Sequence, residues 1–299
     1  MIDRSEAVLA IDIGGTKIAF GEVVGDRIDN RRQVPTPRSG GGDALVDAIV
    51  TELAGFKCDA IALATTGIVS DGKITALNPI TLPIEDNYPL AARLEAATGL
   101  VPLVVNDAQA AAWGEYSYGA GRGCRNFMFI TVSTGVGGGV VLEGHLQVGA
   151  NGLAGHIGHT RVFSGRSACG CGRKGCLETI ASGTAIALNY SNKVGRKATA
   201  PEVFDAATAG DAAAQAVLED AAAALAEAFA NTVATVDLDL VAIGGGVGLA
   251  GGFADRVRRH VEAFPAAFRR PIVTAQAGAD AGMIGVADLF MKKNSTIFD

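Results

Sequence analysis

Two passages of this chain repeat one pattern of apolar and polar positions. In the first, the branched apolar run Val8 to Ile13 ends at Gly14-Gly15-Thr16-Lys17, a second run covers Ile18 to Val24, Gly25-Asp26 turns, and a weaker third run reaches Val34. In the second, Phe127 to Val132 leads into a Gly-rich turn, Ser133 to Gly139, with Val140 to Leu142 returning and Gly144 at the next turn. Each passage predicts a strand meander, and their likeness predicts an internal duplication with two similar sheets facing a shared cleft.

After the first meander, Leu45, Ile49 and Leu53 recur at helical spacing, with Asp43 as expected N-cap and Gly55 past the end. Asp59 to Ala64 reads as a buried strand ending at Thr65-Thr66-Gly67. Pro89 to Thr98 reads as a helix closed by Gly99, and Val101 to Val105 as another buried strand ending at Asn106-Asp107. Buried strands joined by a helical crossover imply a parallel sheet, and ligands of such sheets collect beyond the strands' carboxyl ends, where Thr65, Thr66 and Asp107 fall. Val203 to Val236 is Ala-rich and helical, interrupted near Gly210, with Leu218, Ala222, Leu225, Phe229 and Val233 as its apolar stripe. A strand from Leu240 to Ile243 runs into Gly244-Gly245-Gly246, and a helix near Ala281 to Met291 closes the pattern.

Composition narrows the class. Of 299 residues 49% are hydrophobic and 19% charged, enough apolar surface for a sizeable core and too much for global disorder. The net charge of −6 supplies no general attraction for nucleic acid. Asp3 and Glu6 precede the first apolar run, so no signal peptide is expected. The most apolar later stretch, Phe127 to Leu142, is broken by Thr131, Ser133, Thr134 and glycines, so no membrane span is expected either. Among five cysteines, three fall within eight residues, which fits a cytoplasmic protein with a metal cluster better than a disulfide scaffold.

Three Gly-rich turns follow strands: Asp12 with Gly14, Gly15, Thr16 and Lys17; Thr134 with Gly135, Gly137 and Gly138; and Gly244 with Gly245 and Gly246. Backbone N–H groups can converge on phosphate where no Cβ intervenes; Thr16 and Thr134 add hydroxyls, Lys17 a cation, and Asp12 an oxygen for hydrated Mg²⁺. Each turn alone is equally well explained as merely tight; together they point to a nucleotide. None has P-loop or helix-opening G-x-G-x-x-G spacing. Asp107, just past a buried strand, suits a general base for phosphoryl transfer to a hydroxyl, or an N-cap for the segment Ala108 to Tyr116, or both. His159, Cys169, Cys171 and Cys176 form H-x9-C-x-C-x4-C, a closed tetrahedral set for a structural Zn²⁺, with metal-free thiols as the alternative. Cys58 and Cys124 read as packing residues, and His145 and His260 as solvated side chains.

Ile11-Asp12-Ile13-Gly14-Gly15-Thr16-Lys17, Asn106-Asp107, Thr134-Gly135-Val136-Gly137-Gly138-Gly139 and Cys169-Gly170-Cys171-Gly172-Arg173-Lys174-Gly175-Cys176-Leu177-Glu178 resemble, in this order, motifs of the ROK sugar kinases. The resemblance implies the actin-like ATPase (ribonuclease H-like) fold, α/β throughout, with two duplicated domains around a cleft. One would be residues 1–118 completed by the C-terminal helix, about 281–299, and the other residues 119–280 with the zinc site. It further implies ATP on the glycine turns, with the third near adenosine, Asp107 as base, and Asn106, His159 and Glu178 on the sugar, His159 also on zinc. Thr66, Gly67, Asn78, His156 and Asp107 itself complete the expected sugar site.

Within the family the resemblance is strongest to bacterial N-acetylmannosamine kinases, through Thr66-Gly67-Ile68, Ala76-Leu77-Asn78-Pro79, Asn106 to Trp113, Ile130 to Gly135 and Gly152 to Thr160. Most of the family carries Glu where this chain has His156, an exchange that alters the pocket's donor and acceptor set, or is drift at one position. The implied reaction is phosphorylation of N-acetyl-D-mannosamine at its 6-hydroxyl by ATP with Mg²⁺, in sialic acid breakdown, by a cytoplasmic homodimer. A glucokinase or other hexose kinase is the alternative on the same scaffold. A sugar-sensing transcription regulator of the family is disfavoured, since only eleven residues precede Asp12. A zinc-knuckle nucleic-acid binder is disfavoured too, for want of interleaved aromatic and basic residues around the cysteines.

Overall fold

The computed structural model describes residues 7–56, 59–78, 81–165 and 167–295. Cys58, Pro79, Asp3 and Glu6 lie outside the described residues. The chain divides into two compact units: among the described residues, those up to Tyr118, Gln147–Ala154 and those from Ala279 onward make the first, and Gly119–Leu146 with Gly155–Gly278 the second.

The first unit opens with the expected meander, β1 (Val8–Ile13), β2 (Lys17–Val24) and β3 (Arg27–Pro35). Then come α1 (Gly41–Leu53), β4 (Ile61–Thr65), β5 (Ile68–Ser70), β6 (Lys73–Thr75), α2 (Leu90–Thr98), β7 (Leu103–Asn106) and α3 (Asp107–Tyr118). The sheet order is β3-β2-β1-β4-β7. β1 pairs in parallel with β4, and β4 with β7. β4 is buried along its whole length, which is why it reads as an unbroken apolar run rather than an alternating one. The small β5–β6 hairpin has too few residues to announce itself by periodicity.

Two expectations about helix and strand starts are corrected. Asp43 lies in the first turn of α1, not at its N-cap, which is Gly40 in a left-handed conformation. The Glu85 carboxylate, distant in sequence, accepts the Gly42 N–H at 2.9 Å, and Asp43 instead accepts the Tyr88 hydroxyl at 2.6 Å. β7 starts at Leu103 and not at Val101, which is 68% exposed; Pro102 has no N–H to give a sheet ladder.

The second unit repeats the plan with β8 (Phe127–Val132), β9 (Val136–Leu142) and β10 (His145–Gln147). Helices α4 (Glu178–Ala181), α5 (Gly183–Val194), α6 (Ala200–Thr208) and α7 (Ala212–Val236) follow. β11 (Leu240–Gly244), α8 (Gly245–Gly248), α9 (Phe253–Glu262) and β12 (Ile272–Thr274) complete it. The sheet order β10-β9-β8-β11-β12 mirrors that of the first unit, with β8, β11 and β12 parallel. α7 buries Leu218, Ala222, Leu225, Phe229 and Val233, the stripe read from spacing, and α6 stops before Gly210. The Gly-rich turn is shorter than expected. Only Ser133–Gly135 turn, whereas Gly137, Gly138 and Gly139 belong to β9 and pair with Thr131, Ile130 and Phe129. Packing explains the glycine at 138: a Cβ there would meet the Gly155 carbonyl oxygen at 2.9 Å. His260 is not simply solvated either, for its Nε2 stands 2.8 Å from the Glu219 carboxylate.

The chain returns to the first unit as α10 (Ala281–Ser295), which packs on α3. These helices nearly touch. A Cβ at Gly285 would lie 1.8 Å from the Ala110 carbonyl oxygen, and one at Gly114 would lie 2.2 Å from that of Ala281. Asp288 of α10 accepts the Trp113 indole N–H at 2.6 Å and the Tyr118 hydroxyl at 2.9 Å. Gly285→Ala should therefore destabilise the protein by about 1–3 kcal/mol, the usual cost of overpacking, measured as a lower denaturant midpoint.

Candidate active site

The parallel ladder aligns the strand ends of the first unit. Ile13 pairs with Thr65, and Thr65 with Asn106, so Gly14, Thr66 and Asp107 leave the sheet along one edge. Asn106 ties that edge together. Its Nδ2 donates to the Gly67 carbonyl at 2.9 Å and to Asp107 Oδ1 at 3.0 Å. Its Oδ1 accepts the backbone N–H groups of Ala108 and Gln109, each at 3.0 Å. Asn106 is thus the residue that caps α3, the role weighed for Asp107, which sits in the first turn instead. An acidic residue in a helix's first turn is favoured by the helix dipole.

Gly67 must be glycine on two counts: φ is +97°, and a Cβ would meet the Thr75 carbonyl oxygen at 2.6 Å. Gly15 is pressed against Thr81, whose methyl carbon would lie 2.7 Å from an added Cβ. Thr36 Oγ1 donates to the Gly14 carbonyl at 2.7 Å, and Gly14 N–H to that of Lys17 at 3.0 Å, which closes the turn between β1 and β2. Thr16 and Lys17 are exposed at its tip, Thr66 and Gly67 are half-buried, and Asn78 is exposed with its carbonyl accepting the Thr81 N–H at 2.9 Å. Asp12 is the electrostatic centre of this edge. Burial, then the Asp107 carboxylate, raise it to about 6, against the lowering pull of Lys17 and with a further push from Asp280. A cation beside Asp12 and Asp107 would relieve that repulsion, so the residues present fit a hydrated Mg²⁺.

In the second unit the Ser133–Gly135 turn docks on the start of α5: Gly183 N–H donates to the Ser133 carbonyl at 2.7 Å and Thr184 Oγ1 to that of Thr134 at 2.9 Å. Glu178 accepts the Val136 N–H at 3.1 Å, and its carboxylate occupies the space where a Gly135 Cβ would point. At the end of β11, Gly245 adopts φ +81° and a Cβ would fall 2.4 Å from the Val132 carbonyl, whereas Gly246 faces open space and Gly244 is packed under Phe129. Gly137 and Gly138 lie in strand β9.

His159 closes a 3-10 turn, Ile157–His159, that begins just after the half-buried His156. Its Nδ1 approaches Cys169 Sγ at 3.6 Å, while Cys171 and Cys176 Sγ are 3.7 Å apart. The four ligand atoms all lie within 4.8 Å of one another. Bond lengths of about 2.3 Å to sulfur and 2.0–2.1 Å to nitrogen give tetrahedral edges of about 3.6–3.8 Å. The set therefore fits zinc in geometry as well as in donor type. Gly172 and Gly175, at φ +83° and +78°, turn the chain around it. Burial and the adjoining thiols push Cys176 up to about 12, and burial raises Cys169. Cys171 is lowered: burial opposes this, but the Arg173 N–H and the two other thiols outweigh it. Crowding three thiolates is unfavourable until a divalent ion joins them. Arg173, which composition alone did not single out, donates to the His159 carbonyl at 3.1 Å and braces the ligand's backbone. Cys124 is half-buried away from this set.

Two outcomes follow. Asp12 has a folded pKa above its unfolded value, so its unfavourable contribution is absent below about pH 4, develops through the window up to about 6, and is complete above it. Asp12→Asn should accordingly stabilise metal- and nucleotide-free protein at pH 8 by on the order of 2 kcal/mol and leave it unchanged near pH 3.5, read from denaturant midpoints at both pH values. Cys171→Ser should lower bound zinc below stoichiometry after dialysis, measured by elemental mass spectrometry; full retention would show that this thiol is not a ligand.

Comparison with known proteins places the chain in a family. The ROK family profile matches residues 8–293. The chain is 44% identical over 285 residues to N-acetylmannosamine kinase of Yersinia pestis (strain Pestoides F), covering 93% of this chain and 96% of that protein. The ROK hexokinase from Thermus thermophilus superposes with TM-score 0.84 at 34% identity, over 97% of this chain and 99% of that one. The ROK family glucokinase from Streptomyces griseus, solved in complex with glucose and AMPPNP, gives TM-score 0.80 at 32% identity, over 96% and 99%. The paired α/β sheets are those of the actin-like ATPase fold shared by these kinases. The chain belongs to the ROK family.

Proposed function

We propose that this chain transfers the γ-phosphoryl group of ATP to the 6-hydroxyl of N-acetyl-D-mannosamine, yielding the 6-phosphate, an intermediate of sialic acid breakdown. The observation that carries the reading is Asp107, held by Asn106 at the edge where three parallel strands end, beside the β1–β2 glycine turn. Similarity to N-acetylmannosamine kinases over most of the chain supports the choice of sugar.

Asp107 accepts the proton of the attacking hydroxyl, which makes the oxygen a better nucleophile as the bond to phosphorus forms. Asn106 keeps the carboxylate aimed. The residues proposed to bind the sugar are Thr66, Gly67, Asn78, His156, His159 and Glu178, and those proposed to hold a structural zinc are His159, Cys169, Cys171 and Cys176. A closed set of these four ligands would make the zinc structural: it would order the His159 and Glu178 segment and would not activate an oxygen. Asp12, Gly14, Gly15, Thr16 and Lys17 face the terminal phosphates, as do Thr134, Gly135, Gly137 and Gly138; Gly244, Gly245 and Gly246 lie by the adenosine. Asp12 would hold a hydrated Mg²⁺, which would supply neutralisation of the phosphate charge. Cytoplasmic location and a homodimeric working unit belong to the same reading. Among the described residues no helix is long and apolar enough to cross a membrane.

A panel of N-acetylmannosamine, N-acetylglucosamine, glucose and mannose, assayed for ADP release, tests the reading directly. N-acetylmannosamine should give the highest kcat/KM. A higher value on glucose would replace the assignment with glucokinase, and no sugar-dependent ADP release would remove the kinase reading. On the preferred sugar Asp107→Asn should lose about 10²–10⁴-fold in kcat with zinc content unchanged, and normal turnover would take Asp107 out of the chemistry.

A further inference from the structure

Gln109 stands two residues beyond the proposed base, on the first turn of α3, and only 1% of it is exposed. A buried primary amide needs partners for both N–H groups, and this one finds them on a separate stretch of chain. Its Nε2 donates to the Ala154 carbonyl at 2.8 Å and to the Gly152 carbonyl at 3.3 Å. Its backbone N–H is taken by Asn106 Oδ1, so the same residue is fixed to the Asp107 edge from the other side.

The segment it holds, residues 147–154, is a strap of the first unit flanked on both sides by chain that belongs to the second. It closes on itself through the Ala154 N–H to the Val148 carbonyl at 3.2 Å, with Gly149 at φ +77° tucked against Ala154. Gly152, at φ +76°, lies flat on β5, where a Cβ would come within 2.0 Å of the Val69 carbonyl oxygen. Val148 and Leu153 are exposed. The next residues along the chain are Gly155, His156 and, at the end of the 3-10 turn, His159.

We propose that Gln109 is a positioning residue for sugar binding, whose side-chain amide anchors at Gly152 and Ala154 the strap that runs directly into the His156–His159 segment. This deepens the sugar-kinase reading and rests on it. Gln109 touches no reacting group; it makes the sugar-contacting segment start from a defined place, so that binding a sugar does not have to order the strap first. Loss of the tether therefore costs sugar affinity before it costs chemistry, and leaves the β1–β2 turn and its nucleotide untouched.

The test uses Gln109→Met, which keeps length without donors, and Gln109→Glu, which keeps shape but presents an anion to two carbonyl oxygens. The KM for the preferred sugar should rise about tenfold or more, the worth of two buried hydrogen bonds, with the KM for ATP unchanged and kcat falling by less than the sugar KM rises. Amide hydrogen exchange across residues 148–155 should quicken in both variants while the β1 and β4 amides stay protected. A merely structural role predicts a different result, a lower melting temperature with the sugar KM unmoved. That result, a parallel rise in the KM for ATP, or unchanged exchange in the strap overturns the inference. A wild-type chain without sugar-dependent ADP release would sink both this inference and the kinase reading, whereas normal wild-type turnover with an indifferent Gln109→Met sinks this one alone.

Discussion

Parallel pairing aligns strand ends, and in the first unit it aligns Ile13, Thr65 and Asn106 in one row. Every chain that leaves that row must turn at the same edge, which brings the β1–β2 glycine turn, Thr66 and Asp107 together without any of them being neighbours in sequence. A slip of one residue in β7 would turn its side chains to the opposite face of the sheet and put Asn106 out of line with Thr65. The single Asn106 amide then cross-links the arrangement. One side chain caps α3, holds the Gly67 turn and aims the Asp107 carboxylate, with its donor and acceptor groups all engaged.

That edge is held at an electrostatic disadvantage. Asp12 is driven upward by burial and by Asp107, and burial raises the Cys169 and Cys176 thiols in the cluster they form with Cys171 and His159. Lys17 is exposed and lowers the Asp12 carboxyl by less than burial raises it, while Arg173 lowers Cys171 in the thiol cluster. Folding energy from the two apolar cores, one in each unit, tolerates these local costs.

Glycine serves unlike ends in stretches that read alike. Gly67 and Gly245 occupy left-handed backbone at strand ends. Gly135 makes room for the Glu178 carboxylate, and Gly138 lets β9 lie against the Gly155 backbone. Gly114 and Gly285 let α3 and α10 approach to backbone contact, which fixes the helix carrying Asp107. The run Gly137-Gly138-Gly139 reads as a turn in one dimension and belongs to strand β9, where the Gly155 backbone passing over Gly138 demands the missing Cβ at that position.

The amino-acid pattern by itself determined the elements whose signal is local: the repeated meander, the buried runs that became β1, β4, β8 and β11, the stripe of α7, and the H-x9-C-x-C-x4-C spacing that closes to a tetrahedral size. Apolar period and ligand spacing are properties of a few adjacent residues, so they survive without knowledge of the fold. Tertiary structure alone decided that Asn106 and not Asp107 caps α3, that Glu85 replaces Asp43 at the start of α1, and that Gln109 reaches forty-odd residues along the chain to hold the strap. Asn106 and Gln109 are polar side chains buried by the fold and obliged to find partners there, and the N–H of buried Gly42 finds its partner in the exposed Glu85. Which partner each finds depends on what packing brings within about 3 Å, and no spacing along the sequence encodes that distance.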